Sequence, residues 1–372
     1  METMMSRYEV DGVDIQSLPK VSLHDHLDGG LRPQTILELG DEIGLELPAS
    51  DAAALGAWFA KQSNSGSLPE YLTTFDITTA VMQTEHGLHR VAKEFVLDLA
   101  EDGVVYGEIR WAPEQHLTRG LSLDAAVEAV QAGIDEAVAL VATHGGGIRV
   151  GQLISAMRHL DRADEIAELA LRHRDRGAVG FDIAGPEAGF PASRLASAFD
   201  LLAKAHFPAT VHAGEGAGLE SIQDALFAGR ALRLGHGTRI AEDIVVEEET
   251  ADAVVVRLGQ TAEWVKDRQI ALEVSPSSNL QTGTIAQWGE ELVDHPIDLL
   301  LQLGFAVTVN VDNRLQSGTS LTRELGLLVE AFDWDLDDLE QVQQHAAAAA
   351  FLPFEEREDL ADEIADGFDR LR

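Results

Sequence analysis

Five short stretches of the chain end in groups that bind metals or move protons: His24-Asp25-His26, His212-Ala213-Gly214-Glu215, Gly235-His236-Gly237, Ser275-Pro276-Ser277-Ser278-Asn279 and Asp312-Asn313. His24 and His26 are two apart. On a strand such positions share a face, so both imidazoles point one way and Asp25 points the other. His212 offers a third nitrogen. Glu215 follows on the loop beyond it, close to such a metal yet free to titrate as a general acid or base. His236 sits between two glycines that permit close backbone approach, and reads either as a ligand or as an acid/base. Asp312 completes a three-histidine, one-aspartate set that leaves one position for water, as a catalytic zinc requires. A zinc so held brings the pKa of its water down to about 7. The expectation is one Zn2+ per chain and a mononuclear metal hydrolase or deaminase. The other histidines, at positions 86, 89, 116, 144, 159, 173, 206, 295 and 345, fall in helical or loop contexts and read as surface or structural groups.

Groups as far apart in sequence as His24 and Asp312 meet only if the fold gathers strand ends at one point, as a parallel barrel does. Apolar runs of strand type lead into most of the five stretches. Val21-Ser22-Leu23 precedes the first histidines. Val104 to Arg110, Ile148 to Ile154 and Val179 to Ile183 follow. Ala209-Thr210-Val211 precedes His212, Arg233-Leu234 precedes His236, Ile270 to Val274 precedes the Ser-Pro-Ser-Ser-Asn run, and Ala306 to Val311 precedes Asp312. Eight strands alternating with helical patterns predict a single (β/α)8 TIM barrel over residues 1–372, with extra helices after strand 1 and at the C-terminus. Leu123 to Val141 has apolar residues at helical spacing and reads as an outer barrel helix. Residues 45–80 are too many for a plain crossover. An insertion after the first strand lies at the active face of a barrel, so Leu68 to Phe75 is expected to cover the site. The acidic tail after Phe332, with its alanine run from Ala346 to Ala350, reads as packing helices.

Composition narrows the chemistry. The 372 residues contain no cysteine, which excludes disulfides, thiolate zinc sites and cysteine nucleophiles. A cytidine-deaminase type of zinc site, which needs cysteine ligands, is excluded with them. The formal net charge of −37 repels nucleic-acid backbones and anionic membranes, so a small neutral substrate is expected, with no nucleic-acid or membrane partner. The acidity, with only five lysines, fits either a salt-adapted source or a genome that favours arginine. A stability series from low to molar salt separates these, since loss of structure at low salt marks the first. Met1 to Gln16 is polar and acidic and lacks the basic and apolar regions of a signal peptide. No apolar run reaches the ~18 residues of a membrane span. A cytoplasmic enzyme is the expectation.

Taken together and in order, these residues resemble the adenosine deaminase family of metal-dependent barrels. Leu18-Pro19-Lys20-Val21-Ser22-Leu23-His24-Asp25-His26-Leu27-Asp28-Gly29 is similar to the family's opening motif, Val211-His212-Ala213-Gly214-Glu215 to its central motif, and Leu234-Gly235-His236-Gly237 to the next. The likeness runs from Leu18 to about Leu352. It implies that His24, His26, His212 and Asp312 hold zinc, and that Glu215 gives a proton to purine N1, making C6 electrophilic. His236 would orient the attacking hydroxide and help move its proton. Gly185 matches the glycine whose backbone meets purine N3, and Asp28 the acid on the ribose 5′-hydroxyl. Asp182 and Glu273 resemble partners that hold a site histidine or its neighbours. Leu68, Tyr71, Leu72 and Phe75 are similar to an apolar lid over the base. The implied reaction is deamination of adenosine and 2′-deoxyadenosine to the inosine products and ammonia, a step of purine salvage.

One position departs from the family pattern. Two adjacent aspartates usually end the last strand, whereas this chain has Asp312-Asn313. An asparagine can donate to purine N7 and accept through its carbonyl, but it cannot carry a charge or exchange a proton. The alternatives are a sister deaminase of adenine or of a modified adenosine, a two-metal hydrolase of a cyclic amide or ester, and a secreted signalling relative without catalysis. Asp28 favours a nucleoside, since adenine-specific relatives tend to carry glutamate there. No lysine ends a middle strand to bridge two metals, and the ligand set is complete.

Overall fold

A computed structural model describes residues 8–249 and 254–372. The reading of Met1 to Gln16 as free of a signal sequence lies partly outside the described residues. Eight parallel strands carry the fold: β1 (Lys20–His26), β2 (Val104–Trp111), β3 (Arg149–Met157), β4 (Ala178–Ala184), β5 (Thr210–Ala213), β6 (Arg233–His236), β7 (Ala271–Val274) and β8 (Val307–Val309). They form two four-stranded sheets, β1-β2-β3-β4 and β5-β6-β7-β8, each in chain order. Single parallel bridges join the sheets at both seams, Phe181 with Ala209 and Asp25 with Asp312. At the second seam the His26 N–H donates to the Asp312 carbonyl at 2.8 Å, and the Asp312 N–H to the His24 carbonyl at 3.0 Å. This is the ring expected of a TIM barrel, and its seam runs through three of the candidate ligands.

The surrounding helices follow from sequence pattern. In Leu123–Thr143 the buried side chains Leu123, Ala126, Val127, Val130, Ile134 and Ala137 recur at helical spacing, and the Ser122 side chain accepts the Ala125 N–H at the N-terminus. This helix packs tightly on Glu85–Glu101: a Cβ on Gly133 would lie 2.3 Å from the His89 carbonyl oxygen, so only glycine allows the approach. The insertion after β1 forms Ala52–Ser63 and two short helices, Leu68–Leu72 and Phe75–Val81. The C-terminal helices Leu336–Ala349 and Phe354–Leu371 pack against one another, and Gln343 of the first accepts the Val21 N–H at 2.8 Å. Two features were not legible in the sequence: a small hairpin (Glu9–Val10 with Val13–Asp14), and an antiparallel pair, Ile244–Glu249 with Val254–Leu258, between β6 and β7.

The barrel interior is polar. Arg110, Arg233, Glu108, Asp182 and Glu273 are all buried there. Arg110 donates to Asp182 at 3.1 Å, to Glu273 at 2.7 Å and to the Leu23 carbonyl at 2.7 Å. Arg233 donates to Glu273 at 2.6 Å and to Glu108, and stacks 3.6 Å from the Phe351 ring centre. Each charge is matched and hydrogen-bonded, which is the condition for keeping ions in a low-dielectric interior. No helix among the described residues is long and apolar enough to cross a membrane.

Candidate active site

The strand ends converge on a cavity of about 250 Å³. Of the residues singled out from sequence, His26, Asp28, Leu68, Tyr71, Leu72, Phe75, Gly185, His212, Glu215, His236, Asp312 and Asn313 line it. His24, Asp182 and Glu273 lie beneath, fully buried. The sequence reading of His159 as a surface or structural group needs correction, because the side chain lines the cavity beside Gly185. It lies two residues beyond the end of β3, a strand end that carries none of the five motifs.

The nitrogen and oxygen donors face one another at metal-ligand separations. His26 Nε2 is 3.2 Å from His212 Nε2 and 3.3 Å from Asp312 Oδ1, and His24 Nε2 is 3.2 Å from the same oxygen. Donors at ~2.1 Å from a shared zinc in tetrahedral array stand roughly 3.4 Å apart, so the spacing fits. The far side of two rings is fixed by carboxylates. His24 Nδ1 is 3.1 Å from Glu273 Oε2, and His212 Nδ1 is 2.9 Å from Asp182 Oδ2. The Glu273 carboxylate hydrogen-bonds His24 Nδ1 and so leaves its Nε2 lone pair turned inward, while Asp182 stands close to His212 Nδ1 without an aligned hydrogen bond. His24 Nε2 is buried with no hydrogen-bond partner, and Asp312 Oδ2 accepts the Ser278 hydroxyl at 2.6 Å. Three imidazole nitrogens and a carboxylate oxygen turned on one another at these separations fit a shared cation. Burial, then the His212 and His24 imidazoles and Arg110, outweigh Asp312 to push His26 well below the ordinary imidazole value, which favours the neutral form that a ligand requires.

His24, His212, His236 and Asp312 also form a close group, with donor atoms all within 4.8 Å of one another. Proximity alone would exchange His236 for His26 in the ligand set, but the hydrogen-bond chain behind His236 argues otherwise. The Ile297 N–H donates to His295 Nδ1 at 3.0 Å, so His295 carries its proton on Nε2, 3.2 Å from Asn279 Oδ1. That oxygen also accepts the Thr238 hydroxyl at 2.9 Å. The Asn279 amide then donates to His236 Nδ1 at 3.1 Å, which leaves the His236 proton on Nε2, 3.6 Å from Glu215 Oε2. His236 therefore presents an N–H to the cavity rather than a lone pair. Asn279 lies in the Ser-Pro-Ser-Ser-Asn motif, whereas His295 was missed, since a histidine far from any strand end carries no signal in sequence.

Backbone conformation marks the same residues. His236 and Asp312 have φ of 63° and 60°, left-handed values unusual outside glycine, and such strain is retained where surrounding structure fixes a functional geometry. Glu215 is buried, and burial, then Asp312 and Glu187, push its carboxyl well above the ordinary range. Asn313 is buried beside Gly29, with its Oδ1 unpartnered. A Cβ on Gly29 would lie 1.9 Å from that oxygen, so the glycine makes room for it. Among the described residues the cavity wall carries Asp28 and Asp76 and no lysine or arginine.

A sequence model described as "Adenosine deaminase" matches residues 19–367. The chain is 52% identical over 351 residues to a curated protein named adenosine deaminase 1 from Streptomyces coelicolor, covering 94% of this chain and 87% of that relative. It is 50% identical over 357 residues to an adenosine deaminase from Mycobacteroides abscessus, covering 96% of each. Among solved structures, an amidohydrolase from Burkholderia ambifaria with bound zinc superposes with a TM-score of 0.81 at 22% identity, covering 96% of this chain and 92% of that one. That likeness carries the fold alone.

Proposed function

The chain belongs to the adenosine deaminase family and is an enzyme that hydrolyses adenosine to inosine and ammonia, and from that premise we propose how its own residues divide the work. The observation that carries the reading is a buried Glu215 with Oε2 3.6 Å from His236 Nε2, beside inward-turned donors on His24, His26, His212 and Asp312. Those four donors would hold one zinc ion, which when bound supplies a nucleophile at neutral pH by acidifying water. Glu215 donates its proton to purine N1 and so withdraws electron density from C6. His236 presents Nε2–H to the attacking oxygen and orients it. The Gly185 N–H meets N3, Asn313 meets N7, and Asp28 accepts the ribose 5′-hydroxyl. Leu68, Tyr71, Leu72 and Phe75 cover the base and exclude water, which strengthens each polar contact beneath them. Addition of water oxygen to C6 and departure of the amino group as ammonia complete the exchange.

Asp28 and Asp76, on a wall that among the described residues carries no lysine or arginine, disfavour a substrate phosphate, which supports a free nucleoside as substrate. That substrate supports a role in purine salvage. The test is the ultraviolet absorbance change with adenosine, 2′-deoxyadenosine, adenine and cytidine, run beside Glu215→Gln. The expected result is turnover of the two adenine nucleosides alone and a loss of about 10²- to 10⁴-fold in kcat in the variant. Preferred turnover of adenine would move the assignment to a sister enzyme, and an active Glu215→Gln would remove the acid.

A further inference from the structure

One side chain from a neighbouring strand end grips the loop that carries Glu215. Glu187 is buried, and its Oε1 accepts the Gly214 N–H at 2.7 Å. Its Oε2 accepts the N–H groups of Glu215, Gly216 and Ala217 at 3.0, 2.6 and 3.0 Å. Four consecutive amides turned toward one point form an anion-binding nest, here filled by the chain's own carboxylate. Gly214, at φ 81°, provides the turn that aims them. The helix beyond begins only at Leu219, so these are loop amides rather than its first turn. Such an investment in a loop of a few residues points to the side chain in its middle.

Glu187 lies two residues after Gly185. On the reading above, Gly185 meets N3 and Glu215 meets N1 of the same six-membered ring. The geometry therefore points to a role that we assign to Glu187: it is the positioning residue for Glu215, tying the Gly214–Ala217 loop to the Gly185 loop so that the acid stays aimed at N1. The inference rests on Glu215 being that acid. Its negative charge also opposes ionisation of Glu215, after burial and Asp312.

The test compares Glu187→Gln, Glu187→Asp and Glu215→Gln by steady-state kinetics on adenosine, with metal content and thermal melting of each. Glutamine turns one acceptor into a donor against backbone N–H groups, while aspartate keeps the charge but falls one methylene short. Glu187→Gln is expected to fold with one metal per chain and to lose about 10²-fold in kcat with KM within about threefold, because a misplacement of ~1 Å near the reacting atoms costs that much. Glu187→Asp is expected to recover part of the rate. Unchanged kcat in both variants overturns the inference. So does activity lost in proportion to metal or folded protein, since the carboxylate would then serve the fold. An active Glu215→Gln overturns both this role and the acid on which it rests, whereas an inactive Glu215→Gln beside an unaffected Glu187→Gln removes the positioning role alone.

Discussion

The floor of the cavity and its lid solve different problems with different residues. The floor is ionic: Glu273 alone meets Arg110, Arg233, the Thr210 hydroxyl and His24 Nδ1. The lid is apolar, a short local segment in which Tyr71 is buried while Leu72 and Phe75 remain partly exposed. Ligands and acids need direction to within a fraction of an ångström, and matched charges from several strands supply it. Excluding water needs only apolar area in roughly the right place. The floor should therefore fail as a unit, and the lid should fail by degrees.

Glu273→Gln attacks the floor where it is most connected. The variant leaves two buried guanidinium groups without their shared carboxylate, and loss of one member of such a set costs about 3–5 kcal/mol. Denaturant unfolding should show that loss. A metal titration should show affinity weakened about 10- to 100-fold, because His24 loses the partner that holds its tautomer. A variant as stable as the parent and with unchanged metal affinity would mean that the ionic network is not what holds the histidines.

Glu215 stands where floor meets lid, and pH separates its state from theirs. In metal-depleted protein its carboxyl titrates well above the ordinary value, with burial the largest cause. Between those two values the folded chain keeps a proton that the unfolded chain has released. Stability therefore falls as pH rises through that window, by up to about 1.4 kcal/mol per unit. Glu215→Gln should remove this decline and melt higher than the metal-free parent at neutral pH. Parallel pH slopes in the two proteins would show that Glu215 is not held protonated.

Leu72→Ala tests the lid from the other side. Removing part of an apolar contact to substrate is worth roughly 1–3 kcal/mol of binding, so KM should rise about tenfold or more. Melting temperature and metal content should stay near the parent's. A large fall in stability instead would make the lid part of the core.

The same contrast explains what could be read from the chain alone. Strands with their terminal His24, His26, His212, His236 and Asp312 were legible because strand periodicity and residue type coincide there. Asp182 and Glu273 were found through motif likeness. Arg110 and Arg233 were not identified as site-supporting groups, although both lie in predicted strands: an arginine in an apolar run gives no sign of which carboxylate it meets across the barrel. His295 and Glu187 act through partners that only the fold brings near. Local pattern locates donors, and tertiary pairing determines which of them stay neutral, charged or aimed.

Asn313 is the position where this chain departs from the family pattern, and it should produce the smallest change of the series. Its side chain is buried, with the unpartnered Oδ1 pressed against Gly29, and the residue lines the cavity. Asn313→Asp preserves shape and replaces an amide by a carboxylate close to Asp312. The substitution touches none of the four proposed metal donors, so metal content should remain at one per chain. The rate should shift by about tenfold or less, equivalent to ~1.4 kcal/mol in the barrier. The gain of a proton carrier and the loss of an amide donor to N7 act in opposite directions. Kinetics on adenosine with metal analysis decides it. Loss of metal would mean that Asn313 belongs to the floor rather than to the substrate contacts, and that the boundary between the two regions lies one residue further along the segment beyond the last strand.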